Sequence, residues 1–141
     1  MWSAKSEIAD IYLSGKTFAI RANGTVALHP VAEDWATSLQ AGLAGQTGQP
    51  KRRWRIWLGG RRCGLHLCEP IPGVRNIEEA EAALGASLGV DGRAMSVRLA
   101  TWAAQGPWLA LATEAGLIEG LLSVVEEGGG HVQSVRPWWT V

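Results

Sequence analysis

The sequence predicts an α+β fold, a mixed sheet covered by helices in a single domain over residues 1–141. Three observations carry that prediction. Short segments with period-two alternation of apolar and polar residues recur along the whole chain. Three segments with helical periodicity interrupt them. An Asn-Gly pair flanked by alternating segments marks a tight hairpin near the N-terminus. Together they give the order βββ-α-ββ-α-ββ-α-β.

The first three strands form a meander over residues 7–31. Ile8–Leu13 leads through Ser14-Gly15-Lys16 into Thr17–Arg21, and Asn23-Gly24 turns the chain into Thr25–His29. Both central positions of such a turn need positive φ, which Asn and Gly tolerate. Pro30 closes the meander. Trp35, Leu39 and Leu43 recur at helical spacing, predicting a helix over about 33–44 that Gly45 stops in the left-handed region. After the polar loop 45–50, Arg53–Leu58 alternates as a strand. Trp54, Ile56 and Leu58 take one face, and Arg53, Arg55 and Trp57 the other.

Gly59-Gly60 turns the chain into a fifth strand at 62–69, and Pro70-Ile-Pro-Gly73 ends it. Asn76 caps a second helix with Glu79 completing a capping box, and Ile77, Ala80, Leu84 and Leu88 form its apolar stripe. Glu78 and Glu81 suit the positive end of its dipole. Asp91-Gly92 turns into a strand at 95–100, and Gly106-Pro107 separates it from a strand at 108–112. Thr113 is placed to cap a third helix whose buried face is Leu117, Ile118, Leu121, Leu122 and Val125. Gly128–Gly130 ends that helix before a last strand, His131–Val135, and Pro137-Trp138-Trp139.

Composition bounds the function classes. Hydrophobic residues are 47% and charged residues 18%, so the chain can bury a core and does not have the composition of a disordered one. Thirteen basic and thirteen acidic side chains cancel, which argues against a globally basic nucleic-acid binder. No apolar run is long enough to span a bilayer, and the N-terminal residues lack the features of a signal peptide, so a cytoplasmic address is expected. Cys63 and Cys68 lie on one extended segment roughly 16 Å apart, too far to bridge, and reduced thiols fit that address.

Several residue groups bear on chemistry. Ser14-Gly15-Lys16-Thr17 imitates the end of a phosphate loop, but Asp10 stands where its first glycine belongs and a strand follows instead of a helix, so it is expected to be a hairpin turn. Cys63, His66 and Cys68 are zinc ligands by type, yet in a strand Cys63 faces away from the other two. Asp10, Glu69 and Glu114 are the acids beside strand ends that a metal-dependent phosphodiesterase of ribonuclease-H type would use. Lys51 to Arg62 holds Lys51, Arg52, Arg53, Arg55, Arg61 and Arg62 with no acid, interleaved with Trp54 and Trp57. That pattern suits stacking and phosphate contacts with single-stranded nucleic acid, a charged protein surface, or a guarded strand edge. Trp57 is the better candidate for exposure. Trp138 and Trp139 form an apolar tail suited to an interface or to covering a sheet edge.

The order of elements resembles a reduced ribonuclease-H/actin-like domain of bacterial secretion and pilus machines. Its nearest parallels are the cytoplasmic part of the type II secretion L protein and the actin-like type IV pilus assembly M protein. The stretch Trp108 to Pro137, a strand, a helix, glycines and Val132-Gln-Ser-Val135-Arg-Pro137, is the most specific part of that likeness. Residues 53–73 resemble the family's strand pair and proline-flanked loop. One departure bears on function: actin-like nucleotide sites place a glycine two residues after the first-strand aspartate, where this chain has Tyr12 after Asp10. The resemblance implies a non-catalytic protein–protein adaptor of a secretion or pilus platform, peripheral to the inner membrane, with no cofactor and with ATP binding lost. Its docking residues are expected among Arg53, Arg55, Trp57, Arg61, Arg62, Trp138 and Trp139, and an open sheet edge favours a homodimer.

Overall fold

The structure, a computed structural model, describes residues 8–32, 34–45, 52–89, 92–100 and 106–140, apart from the side chains of Arg61 and Thr140. Lys51, Asp91 and most of the loop 45–50 lie outside the described residues. The element order is the one expected: β1 (Ile8–Leu13), β2 (Thr17–Ala22), β3 (Thr25–Pro30), α1 (Trp35–Ala44), β4 (Arg53–Leu58), β5 (Cys63–Cys68), α2 (Ile77–Ser87), β6 (Ser96–Leu99), β7 (Trp108–Thr113), α3 (Leu117–Glu127) and β8 (His131–Pro137). The fold is α+β. Its strands form two sheets where the sequence suggested one, and the chain divides into two compact units, 1–62 with 118–141 and 63–117.

The first unit is built on a mixed five-stranded sheet ordered β3-β2-β1-β4-β8. The meander is antiparallel, and β1, β4 and β8 run parallel to one another. Parallel neighbours need crossover connections, and the helices on either side of β4 supply them. Asn23 and Gly24 have φ of 54° and 74°, the geometry a two-residue hairpin demands.

One face of this sheet carries Ala9, Ile11 and Leu13 of β1, Phe18 and Ile20 of β2, and Trp54, Ile56 and Leu58 of β4, all buried. Helix α1 lies on this face: a Cβ on Gly42 would stand 2.7 Å from the Phe18 ring and 3.2 Å from Ile20. Gly120 of α3 faces the Trp35 ring of α1 at 3.0 Å from an added Cβ, so a small residue lets the two helices meet. Asp34 caps α1 by accepting from the Ala36 N–H at 3.3 Å. Gly45 follows α1 at φ −73°, so α1 ends in right-handed geometry and the expected left-handed stop is corrected. Helix α3 starts at Leu117 because Thr113 is the last residue of β7 and cannot cap it. Gly116, at φ 80°, precedes that start. Leu117, Leu121, Val124 and Val125 are buried, whereas Ile118 and Leu122 are half-buried.

The second unit holds the antiparallel sheet β5-β7-β6 with α2 packed on it. Its core is Ala80, Leu84, Val97, Trp108, Ala110 and Ala112. Asn76 caps α2 as expected, accepting from the Glu79 N–H at 2.8 Å, while the Glu79 carboxylate accepts from the Arg75 N–H at 2.9 Å, one residue before the cap. Ile77, expected in the apolar stripe, is instead 40% exposed at the first position of the helix, while Ala80 in the same turn is buried. Both cysteines are free thiols, and burial pushes the Cys63 thiol up from its ordinary value.

Candidate functional site

Strand parity defines the second face of the five-stranded sheet. Ile8, Asp10 and Tyr12 of β1 share it with Arg21 of β2, Val26 and Leu28 of β3, and Arg53, Arg55 and Trp57 of β4. At its centre Asp10 is fully buried. Arg21 donates to Asp10 Oδ2 from Nε at 3.0 Å and from Nη2 at 2.6 Å. Arg55 donates from Nε to Oδ1 at 2.8 Å and from Nη2 to Oδ2 at 3.2 Å, a fork across both oxygens. The Trp57 indole Nε1–H donates to Oδ1 at 3.0 Å. These bonds fill the roughly four lone-pair sites of a carboxylate.

The register explains the convergence. Asp10 is directly opposite Arg21 on β2 and Arg55 on β4, so one carboxylate pins three adjacent strands. Burial alone would raise the Asp10 carboxyl, but hydrogen bonds from Arg55, Trp57 and Arg21 outweigh it and hold the carboxyl below its ordinary value. The same contacts raise the Arg55 guanidinium. Tyr12 stacks on Trp57 with centroids 6.4 Å apart and planes at 16°, and the Arg55 guanidinium lies 5.9 Å from the centre of the Trp57 ring.

This arrangement corrects the expected exposure of Trp57 and counts against a rival reading. Trp57, on the face expected, is only 8% exposed because its indole is enclosed by Tyr12, Arg55 and its bond to Asp10. A phosphodiesterase site called for carboxylates around Asp10, and its side-chain partners are instead two guanidinium groups and an indole. Among the described residues no group of three or more His, Cys, Asp or Glu is placed to hold a metal ion. Ser14 to Thr17 forms the hairpin turn expected, with the Ser14 hydroxyl donating to the Thr17 carbonyl at 2.9 Å.

The other expected docking residues run from the first residue of β4 to the turns that follow β4 and β8. Arg53 and Arg55 are half-buried on the second face, and Arg62 donates Nε to the Ser14 carbonyl at 3.1 Å. The Arg61 side chain lies outside the described residues. Trp138 and Trp139 follow β8 in a short 3₁₀ turn, 55% and 41% exposed, with rings 6.3 Å apart at 81°. Trp138 lies over Gly59, where an added Cβ would stand 3.1 Å from its ring. The Trp138 indole therefore covers the end of β4, and both indoles still present much of their surface to solvent. Arg136 is exposed beside Trp57 in the strand register.

Sequence reasoning found Asp10, Arg55 and Trp57 but assigned them to separate roles, and it gave Arg21 none. The signal was available: an acid among apolar neighbours on the first hairpin strand, with an arginine at the opposing register position on the second. That fold is shared with a secretion protein. The structure is similar to the cytoplasmic domain of EpsL, an inner membrane component of the type II secretion system of Vibrio cholerae, with TM-score 0.59 and 16% sequence identity. The similarity covers 92% of this chain and 56% of that one, so the chain spans little more than half the length of its structural relative. No family model and no curated protein matches the sequence. Among the described residues no helix is long and apolar enough to cross a membrane.

Proposed function

We propose that the chain is a non-catalytic protein–protein adaptor of a bacterial secretion or pilus assembly platform, working in the cytoplasm at the inner membrane. The observation that carries this reading is the pair of exposed indoles, Trp138 and Trp139, on a fold similar to that of a secretion component. Tryptophan is enriched at binding hot spots because one ring excludes much water and loses little entropy. Arg136, one residue before Pro137 in β8, and the half-buried Arg55 supply a basic rim on the side of β4 and β8. Trp57 supports that rim from beneath as the buried donor to Asp10. The reading includes loss of ATP binding, since Tyr12 stacks on Trp57 where a nucleotide phosphate would approach the first strand.

A photo-crosslinking amino acid at position 139 tests this in the source cells. A secretion or pilus platform protein should be captured, and Trp138→Ala should weaken the capture at least about tenfold, as hot-spot truncations do. Capture of unrelated proteins, or tight ATP binding in a titration, would overturn it. The rival reading, single-stranded nucleic acid, calls for an exposed stacking ring on β4, and Trp57 is enclosed. It predicts oligonucleotide affinity that falls steeply with salt.

A further inference from the structure

The free edge of the five-stranded sheet carries a chemistry separate from the indole pair. Among the described residues β3 is the outermost strand, with β2 on one side only. The two-residue loop Asn23-Gly24 makes Ala22 and Thr25 a hydrogen-bonded pair, and such pairs recur at Ala27 with Ile20 and His29 with Phe18. The Val31 N–H continues this phase by donating to the Lys16 carbonyl at 2.8 Å. The N–H and C=O groups of Val26 and Leu28 therefore point away from β2.

The side chains of these same two residues are 65% and 71% exposed on the second face of the sheet. On the other face the strand borders a groove of about 440 Å³ lined by Phe18, Ala27, His29, Ser38 and Gly42. The segment from Ala22 to Ala32 has no Asp, Glu, Lys or Arg. Natural edges are usually guarded by lysine, inward charge or a bulge, and this one has only Pro30 at its end.

We infer that β3 pairs antiparallel with β3 of a second copy of the chain about a two-fold axis through Ala27. The edge is complementary to itself. With Ala27 on the axis, Val26 falls opposite Leu28 of the second copy, and Leu28 opposite its Val26. Both pairs exchange their N–H···O=C bonds, so the outward backbone groups of Val26 and Leu28 are satisfied. The exposed Val and Leu side chains become cross-strand apolar neighbours. The strand itself brings no charged side chain to the meeting of two identical edges. Pro30 lacks an N–H and Gly24 belongs to the hairpin turn, which confines the ladder to residues around Ala27 and fixes its register. This assignment is independent of the adaptor reading.

Sedimentation of the full chain over a concentration series tests it. The 15.1 kDa monomer should give way to a species of twice that mass. Leu28→Lys places a guarding charge on a side chain already 71% exposed, so the monomer should keep its circular dichroism while dimerisation weakens at least about tenfold. Amide exchange should slow at Val26 and Leu28 as concentration rises and stay unchanged at Ala27, already bonded to β2. A monomer at every concentration overturns the assignment, as does a dimer indifferent to Leu28→Lys or one that leaves the Val26 and Leu28 amides unprotected. Assembly only with a strand from another protein also overturns it.

Discussion

Replacing Asp10 with asparagine isolates the ion that ties β1, β2 and β4 together. Asparagine keeps the shape but turns one acceptor into an N–H₂ donor that faces other donors. Asp10 is fully buried and takes bonds from Arg21, Arg55 and Trp57, so the variant cannot satisfy all of them. The Trp57 indole, 8% exposed, cannot turn to water, and an orphaned buried N–H costs about 1–3 kcal/mol. The Arg21 and Arg55 side chains are 50% and 36% exposed and recover hydration, which limits their share to about 1 kcal/mol. The expected loss is thus about 2–4 kcal/mol, below what a wholly buried broken pair would cost. At about 3 °C per kcal/mol for a chain of this length, the melting temperature should fall by roughly 6–12 °C. Thermal unfolding followed by circular dichroism at neutral pH measures this directly. Trp57→Phe removes only the indole bond and should cost about 1 kcal/mol. A melting temperature for Asp10→Asn within about 2 °C of the parent chain would refute the claim that this carboxylate holds the strands together.

Acid should erase the difference between the parent and Asp10→Asn. A carboxyl whose folded value is depressed stabilises fully above its unfolded value of about 3.9, and that contribution disappears as pH falls through the folded value. Urea midpoints of the two chains should therefore converge below about pH 4, and a constant gap would contradict the assignment. Gly85→Ala should cost roughly 2–3 kcal/mol, because the added methyl overlaps the Met95 backbone carbonyl, which has no side-chain freedom to retreat. Gly42→Ala should cost less, about 1 kcal/mol, since the ring of Phe18 can shift and alanine favours the helix; equal losses in urea melts would count against that distinction. Asn76→Ala should cost about 1 kcal/mol by removing the acceptor for the Glu79 N–H, again read by urea unfolding.

Most elements were legible because local chemistry decides them. Asn23-Gly24 admits few structures other than a tight hairpin, and Asn76 with Glu79 marks a helix start wherever the chain is placed. The parity of Arg53 to Leu58 correctly divided its residues between two faces. Parity does not determine how much of each face stays wet. Trp57 sits on the face expected, yet its burial depends on Tyr12 and Asp10, which β1 brings alongside only once the parallel register is set. The division into two sheets was illegible for the same reason, since strands β5, β6 and β7 carry no local mark of which partners they will choose. Thr113 misled because its side chain can cap a helix or end a strand, and the pairing of β7 with β5 and β6 chose the strand.

The Asp10 cluster bears on the function as well as on stability. A first-strand carboxylate that works on a metal ion or a phosphate must keep lone pairs or space free for it. The Asp10 oxygens are instead filled by Arg21, Arg55 and Trp57, and Tyr12 stacks on the last of these. Making this aspartate available would mean stripping away two guanidinium groups and an indole, against the several kcal/mol that holds them. A fold similar to that of a secretion component is therefore combined here with a first strand whose acid is committed to joining strands. What the unit leaves exposed is of another kind: the indoles of Trp138 and Trp139 and the uncharged edge at Val26 and Leu28. The indoles suit a partner protein and the edge suits a second copy of the chain, and neither surface draws on the committed carboxylate.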